Sequence, residues 1–169
     1  ADTARRHWGG VEGLQTARPG DATRLARAAA AVPVERVLVV GGDGTVHEAA
    51  NGLLADGGPA LPALGVIPVG TGNDFARLTG LDRMPPAEAV SRLARGTVAR
   101  FDVGRAWGEY FVNSLGLGLD AAVAARVARG GTLRGWGAYA AALVGAWRDF
   151  RPARWEVTVG DEHWDEEHL

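Results

Sequence analysis

The chain has 169 residues, enough for one domain or for one domain and part of another. Its formal net charge of −2 gives no reason to expect nucleic acid as a partner, and without cysteine it can form neither disulfides nor zinc–thiolate sites. All 18 of its basic residues are arginine, so the lysine that a Walker phosphate-binding loop or a protein kinase requires is absent.

The N-terminal part of the chain predicts a short strand and then a helix. Val11 to Thr16 is interpreted as the strand. A loop with Pro19 and Gly20 follows, and Asp21 is predicted to be the N-cap of a helix from Ala22 to Ala31.

The next segment predicts a buried strand, a tight turn and a helix. Val37 to Val40 is a continuous apolar run of the kind found inside parallel sheets. The sequence Gly-Gly-Asp-Gly-Thr follows at residues 41–45, which we call the first glycine turn. A helical pattern then runs from Thr45 to Leu54, so the turn lies at a helix N-terminus, where free N–H groups suit a phosphate.

The same arrangement occurs a second time. The apolar run Leu64 to Val69 ends in Gly-Thr-Gly-Asn-Asp at residues 70–74, the second glycine turn. Helical segments are predicted from Phe75 to Leu78 and from Pro86 to Arg95. This alternation of strands and helices predicts an α/β fold with a parallel sheet, in which both turns lie at the carboxyl ends of strands and face one crevice.

The second half of the chain has a looser pattern. Its predicted elements are strands at Arg100 to Arg105 and Tyr110 to Ser114, helices at Asp120 to Arg129 and Gly135 to Phe150, and a hairpin from Arg154 to Trp164. In the second helix, helical spacing puts four large residues on one face, and we expect this face to pack in the core: Trp136, Tyr139, Leu143 and Trp147.

The side chains of the two glycine turns can be interpreted in two ways. Asp43 could orient Mg²⁺ or a metal-bound water, with Thr45 bonded to a phosphate oxygen and Glu48 one turn further into the helix. The alternative is purely structural: Asp, Asn and Thr cap the orphan N–H groups of helices at such turns. Two similar turns on neighbouring strands favour the first interpretation.

Together these motifs resemble the catalytic domain of the diacylglycerol kinase family, in particular the bacterial soluble lipid kinases. The resemblance rests on residues 41–48 with Asn51-Gly52, and on residues 67–77. Thr16 with residues 19–22, residues 101–104 and 111–113, and the glycine-rich stretch 116–122 also resemble that family.

This resemblance implies that the chain binds ATP and Mg²⁺ and transfers the γ-phosphoryl group to the hydroxyl of diacylglycerol or a related lipid alcohol. The aspartates implied to be catalytic, ordering a Mg²⁺–water network, are Asp43, Asp74 and Asp102. The residues implied to hold ATP are Thr16, Gly41, Gly42, Asp43, Gly44, Thr45, Val46, His47, Glu48, Gly70, Thr71 and Asn73. We expect Asp43→Ala to abolish transfer while leaving the fold intact.

The resemblance also implies a domain organisation. Residues 1–152 are expected to form the nucleotide-binding catalytic domain, and residues 153–169 the first hairpin of a β-rich domain. Members of the family start with a further strand, and their β-rich domain supplies a structural metal site and the proposed base. We therefore expect the chain to be truncated at both ends.

Two alternative functions stay open at this point. One is an NAD kinase, because that family shares the Gly-Gly-Asp-Gly turn; the other is a nucleotide-binding fragment without catalysis. A lipid kinase is expected to be cytoplasmic and to touch a membrane surface transiently, and a homodimer is compatible with the sequence.

Overall fold

A computed structural model describes residues 2–57, 61–129, 136–151 and 154–166. The chain divides into two compact units, Ala1–Ser114 and Leu115–Leu169. The elements of the first unit are α1 (Asp2–Trp8), α2 (Asp21–Ala30), β1 (Arg36–Gly41), α3 (Asp43–Leu54), β2 (Ala63–Pro68), α4 (Asp74–Leu78), α5 (Pro86–Arg95), β3 (Gly104–Ala106) and β4 (Glu109–Phe111). Those of the second are α6 (Leu119–Ala128), α7 (Trp136–Asp149), β5 (Trp155–Val159) and β6 (Glu162–Glu166).

Strands β1 and β2 pair in parallel at the centre of the first unit. Their register runs from Arg36 opposite Ala63 to Gly41 opposite Pro68, so the carboxyl ends of both strands lie side by side. Buried valine and isoleucine on the two strands, Val39, Val66 and Ile67, form the middle of the core. The predicted positions of both strands are confirmed to within one residue.

Helix α3 packs against both β1 and α2, and so joins these two elements of the first unit. Val46, Ala49 and Leu53 recur at helical spacing and are at most 5% exposed. Gly52 lies where α3 meets α2, and a Cβ atom there would lie 2.2 Å from the carbonyl oxygen of Thr23. Glycine therefore sets the short distance between the two helices.

Two predictions near the N-terminus are wrong. Val11–Thr16 forms no strand, and a helix, α1, precedes it. Asp21 is the first residue of α2 rather than its N-cap: Gly20, with φ 86°, holds the cap position. The carboxylate of Asp21 is directed back toward the loop and accepts the N–H groups of Ala17 and Arg18 at 2.9 and 3.2 Å.

Strands β3 and β4 form a hairpin shorter than the predicted strands. Trp107 and Gly108 both have positive φ, at 49° and 89°, as a two-residue type I′ hairpin turn requires. The turn lies between the two predicted strands, but pairing extends only from Gly104 opposite Phe111 to Ala106 opposite Glu109.

In the second unit α6 packs against α7, and β5 pairs with β6 in the predicted hairpin. The buried residues of α7 are Ala142 and Ala146, which contact the cluster around Val123. Tyr139 and Trp147 are 48% and 73% exposed, so the predicted core face is wrong. Small alanines allow the two helices to approach closely, which leaves the bulky residues outside; the side chain of Trp136 lies outside the described residues.

The domain boundary predicted after residue 152 concerns a β-rich domain, of which the structure describes only the hairpin β5–β6. It stays a prediction.

Candidate functional site

The two glycine turns are in direct contact at the carboxyl ends of β1 and β2. The N–H of Val69 donates to the carbonyl of Gly41 at 3.1 Å and continues the ladder past β2. A Cβ on Gly70 would lie 2.4 Å from the Cα of Gly42, closer than any side chain allows. Only glycines permit this approach, and the predicted adjacency of the two turns is confirmed.

The first glycine turn leads directly into α3. Gly42 is the N-cap residue with an extended backbone, and no side chain caps the helix from that position. A Cβ on Gly41 would lie 2.7 Å from the hydroxyl oxygen of Thr45, so glycine lets this hydroxyl lie against the end of β1. The first-turn N–H groups of Asp43, Gly44 and Thr45, at the positive end of the helix dipole, can bind an anion.

The carboxylates of Asp43 and Asp74 both lie near Gly72 in the second glycine turn. One oxygen of Asp43 accepts the N–H of Phe75 at 3.3 Å, near the start of α4. A Cβ built at Gly72 would lie 2.7 Å from the other oxygen of Asp43 and 3.8 Å from an oxygen of Asp74. The structure thus brings together two of the three predicted catalytic carboxylates, and Arg77 pairs with Asp74 at 2.9 Å.

Asp102, the third predicted carboxylate, is exposed in the segment before β3. The ring of its neighbour Phe101 lies 5.8 Å from that of Phe75, which follows Asp74. Within the described ranges, no three potential metal ligands form a group. A role for Asp102 through bridging waters therefore stays a prediction.

Three predicted ATP-binding residues line a common cavity of about 290 Å³. Thr16, Thr45 and Glu48 form its walls with residues 17–19 and Ala22. Glu48 also accepts the N–H of Ala22 at 3.2 Å, which ties α3 to the start of α2. The cavity is next to the N-terminus of α3 because Thr45 belongs to both.

Asp21 holds the loop that carries Thr16. The N–H group of Ala17 is the main reason that the pKa of Asp21 lies below its ordinary value of 3.8. The N–H of Arg18 and the guanidinium of Arg24, 3.6 Å away, act in the same direction, while burial opposes them. The sequence did not predict this role, because an aspartate at the start of a helix usually caps that helix. Here the carboxylate instead accepts N–H groups from residues that precede it.

Replacing Asp21 with asparagine is expected to destabilise the chain near neutral pH but not in acid. The pKa of Asp21 is lower in the folded state, so its charge stabilises the fold above the ordinary value of 3.8. This contribution is lost as the pH falls through the folded-state pKa. Thermal unfolding measured from about pH 3 to about pH 7 should show the difference shrinking below about pH 4.

The matched control for this experiment is Asp161→Asn in the exposed turn between β5 and β6. A difference between Asp21→Asn and the unsubstituted chain that stays constant over this pH range would contradict a role for the charge.

His47 lies on a different side of α3 from Thr45 and lines a larger cavity of about 520 Å³. Glu48 belongs to both cavities, so the predicted ATP-binding residues are divided between them. Residues of β3, β4 and their turn line the larger cavity, and Glu109 lies 3.5 Å from the imidazole of His47.

Asn51 attaches β4 to α3, a role that the sequence did not predict. Its amide donates to the carbonyl of Tyr110 at 2.8 Å, and its carbonyl accepts the N–H of Tyr110 at 2.8 Å. The contact spans 59 positions, so no local pattern could have indicated it. The only signal was an asparagine, a poor helix former, in the interior of a predicted helix.

The chain belongs to the diacylglycerol kinase catalytic domain family, whose profile matches residues 4–106. The α/β fold with a parallel sheet agrees with this family, and the predicted fold class is confirmed.

Individual relatives of the chain carry names that agree with this family. The chain is 42% identical over 99 residues to a diacylglycerol kinase of Bacillus subtilis, an alignment that covers 59% of the chain and 32% of that protein. It is 40% identical over 104 residues to a protein of Chromohalobacter salexigens named as a YegS-like lipid kinase, covering 62% of the chain and 33% of that protein. The chain thus spans about a third of the length of these curated relatives.

Two solved structures of Bacillus anthracis proteins assigned to the diacylglycerol kinases extend the comparison. One matches 98% of the chain and 53% of that protein, with a TM-score of 0.72 and 30% identity. The other matches 66% of the chain and 39% of that protein, with a TM-score of 0.59 and 35% identity. Among the helices that the structure describes, none is long and apolar enough to cross a membrane.

Proposed function

We propose that the chain is the nucleotide-binding catalytic part of an ATP- and Mg²⁺-dependent lipid kinase. It would transfer the γ-phosphoryl group to the hydroxyl of diacylglycerol or a related lipid. The observation that carries this proposal is the contact between Gly42 and Gly70, where the two glycine turns meet. This contact puts the N-terminus of α3 beside the second glycine turn at the carboxyl ends of parallel strands, where α/β sheets bind ligands.

The phosphates would bind at the N-terminus of α3. The N–H groups of residues 43–45 would donate to phosphate oxygens, with the hydroxyls of Thr45 and Thr71 beside them. The nucleoside would then extend into the adjoining cavity, which Thr16 and Glu48 line. This arrangement needs no lysine, in keeping with a chain whose basic residues are all arginine.

The donor set at Gly72 fits Mg²⁺. This ion keeps several waters and takes one or two carboxylates together with substrate phosphates. Asp43 and Asp74 both lie within 3.8 Å of a Cβ position at Gly72, close enough to hold such waters together. When bound, Mg²⁺ would supply positive charge at the phosphates, and Asp102 is proposed as a third partner through water.

The chain's own contribution to transfer would be positioning and charge stabilisation. The lipid hydroxyl oxygen forms a bond to the γ-phosphorus while the bond to the bridging oxygen breaks, which releases ADP and the hydroxyl proton. The N–H groups of α3 would stabilise the negative charge on the phosphoryl oxygens throughout. Because the acceptor is a lipid, the enzyme would meet a membrane surface transiently from the cytoplasm.

The test follows γ-labelled phosphate from Mg·ATP into a mixture of total lipid extract and NAD, with and without the substitution Asp43→Ala. Label in the organic phase that is lost in the variant would support the proposal, and chromatography would identify the acceptor. Label in NADP would move the assignment to the NAD kinases. ATP binding without any transfer would favour a nucleotide-binding module.

A further inference from the structure

Asn73 has an unusual backbone conformation in the second glycine turn. Its φ is 54°, in the left-handed region that asparagine tolerates better than most residues. Its side chain folds back over the turn: the N–H of Gly70 donates to its carbonyl oxygen at 3.0 Å, and its amide donates to the carbonyl of Gly70 at 2.8 Å. The side chain of Asn73 therefore closes a small ring around residues 71 and 72.

The backbone N–H groups of Thr71 and Gly72 lie inside this ring of four residues. Within the described part of the chain, neither N–H group donates a hydrogen bond, and both residues are exposed. The amide of Asn73, by contrast, already has a partner for its oxygen and for its nitrogen. The backbone N–H groups of Thr71 and Gly72 are thus both available to an anion, whereas the side chain of Asn73 already uses its oxygen and one of its two N–H donors inside the ring.

The ring is also attached to the first glycine turn. The oxygen of Asn73 lies 2.8 Å from a Cβ position at Gly70, and Gly70 in turn contacts the Cα of Gly42. Asn73 therefore fixes Gly70 at the point where it meets the N-terminus of α3. Any change in the ring alters the distance between the two sets of N–H groups.

We infer that Asn73 is a positioning residue that holds the N–H groups of Thr71 and Gly72 toward the phosphates, and that it does not bind ATP itself. This inference rests on the proposed function, and it replaces the sequence-based expectation that Asn73 contacts the nucleotide. Its action would be indirect, through the conformation of the second glycine turn.

The test compares Asn73→Gly with Asn73→Ala by amide NMR during titration with Mg·ATP. Glycine accepts the positive φ but removes the carboxamide, whereas alanine removes the carboxamide and also disfavours the conformation. We expect both variants to bind ATP about tenfold more weakly. The reason is that the hydrogen bonds from the N–H groups of Thr71 and Gly72 to the phosphates are lost when the turn is no longer held in place. The ATP-induced shifts of the Thr71 and Gly72 amides should disappear, while that of Thr45 on α3 should persist.

Full binding and unchanged shifts in Asn73→Gly would overturn the inference, because the carboxamide would then matter only for its backbone preference. The unsubstituted chain gives a second measurement that does not depend on a variant folding. There a scalar coupling across a hydrogen bond from ³¹P to the backbone nitrogen of Thr71 or Gly72 is expected, and such a coupling to the side-chain nitrogen of Asn73 would show direct contact and overturn the inference. An unsubstituted chain whose signals do not respond to ATP would instead overturn the proposed function.

Discussion

Asp43→Asn is expected to reduce phosphoryl transfer roughly 100-fold or more, the order of effect seen when one preorganised charge-stabilising group is removed from a site. Asparagine can still accept the N–H of Phe75 through its oxygen, so the link between the two glycine turns survives. It cannot supply the negative charge that would hold metal-bound waters beside Asp74. The measurement is the rate of transfer from Mg·ATP, together with ATP affinity in the presence and absence of Mg²⁺.

Asp43→Ala separates the two roles of this carboxylate. It should lose transfer to the same extent and also lose about 1 kcal/mol of stability, because the N–H of Phe75 loses its partner. The control is again Asp161→Asn, which changes the same chemical group in the exposed turn of the second unit. Turnover by Asp43→Asn at the unsubstituted rate would refute the assignment of Asp43 to the phosphoryl-transfer site.

Gly52→Ala is expected to lower the free energy of unfolding by about 3 kcal/mol, at the upper end of what overpacking costs. The new methyl group would lie 2.2 Å from the carbonyl oxygen of Thr23 and 3.0 Å from the backbone nitrogen of Arg27. Both atoms belong to the backbone of α2, so the overlap cannot be relieved by a change of rotamer. Helix α2 would have to move away from α3, and urea unfolding of the two proteins measures the cost.

Gly44→Ala is the matched control, since it makes the same chemical change in the same helix. No atom lies within 4 Å of a Cβ there, and alanine is a better helix former by up to about 1 kcal/mol. This control should leave stability unchanged or raise it. If both variants shift the unfolding midpoint in the same direction and by the same amount, close packing at Gly52 is not what fixes α2 against α3.

The sequence predicted the two parallel strands and the adjacency of their turns well because these signals are local. Two apolar runs, each ending in glycines before a helical pattern, identified β1, β2 and the contact between their turns. Contacts between distant segments were not predictable: Asn51 meets Tyr110 across 59 positions. A local signal also gave one wrong prediction. An aspartate before a helix usually caps that helix, whereas Asp21 accepts the N–H of Ala17, which precedes it in the chain.

The exposed face of α7 illustrates a different limit. Helical spacing correctly grouped Tyr139, Leu143 and Trp147 on one side, but spacing alone does not say which side faces a neighbour. The face that packs is the one with Ala142 and Ala146, because their small size allows close packing against α6. A pattern that weighs only large apolar residues misses such an interface.

The contact between Gly42 and Gly70 also has a consequence for the fidelity of folding. A slip of β2 by one residue along β1 would bring Val69 or Thr71 into the place that Gly70 occupies beside Gly42. Either residue carries a Cβ atom, and at Gly70 such an atom would lie 2.4 Å from the Cα of Gly42. A sheet slipped by one residue would therefore have an atomic overlap at this end, in addition to exposing its buried face. The two glycines that bring the turns together therefore also favour the correct alignment of the strands.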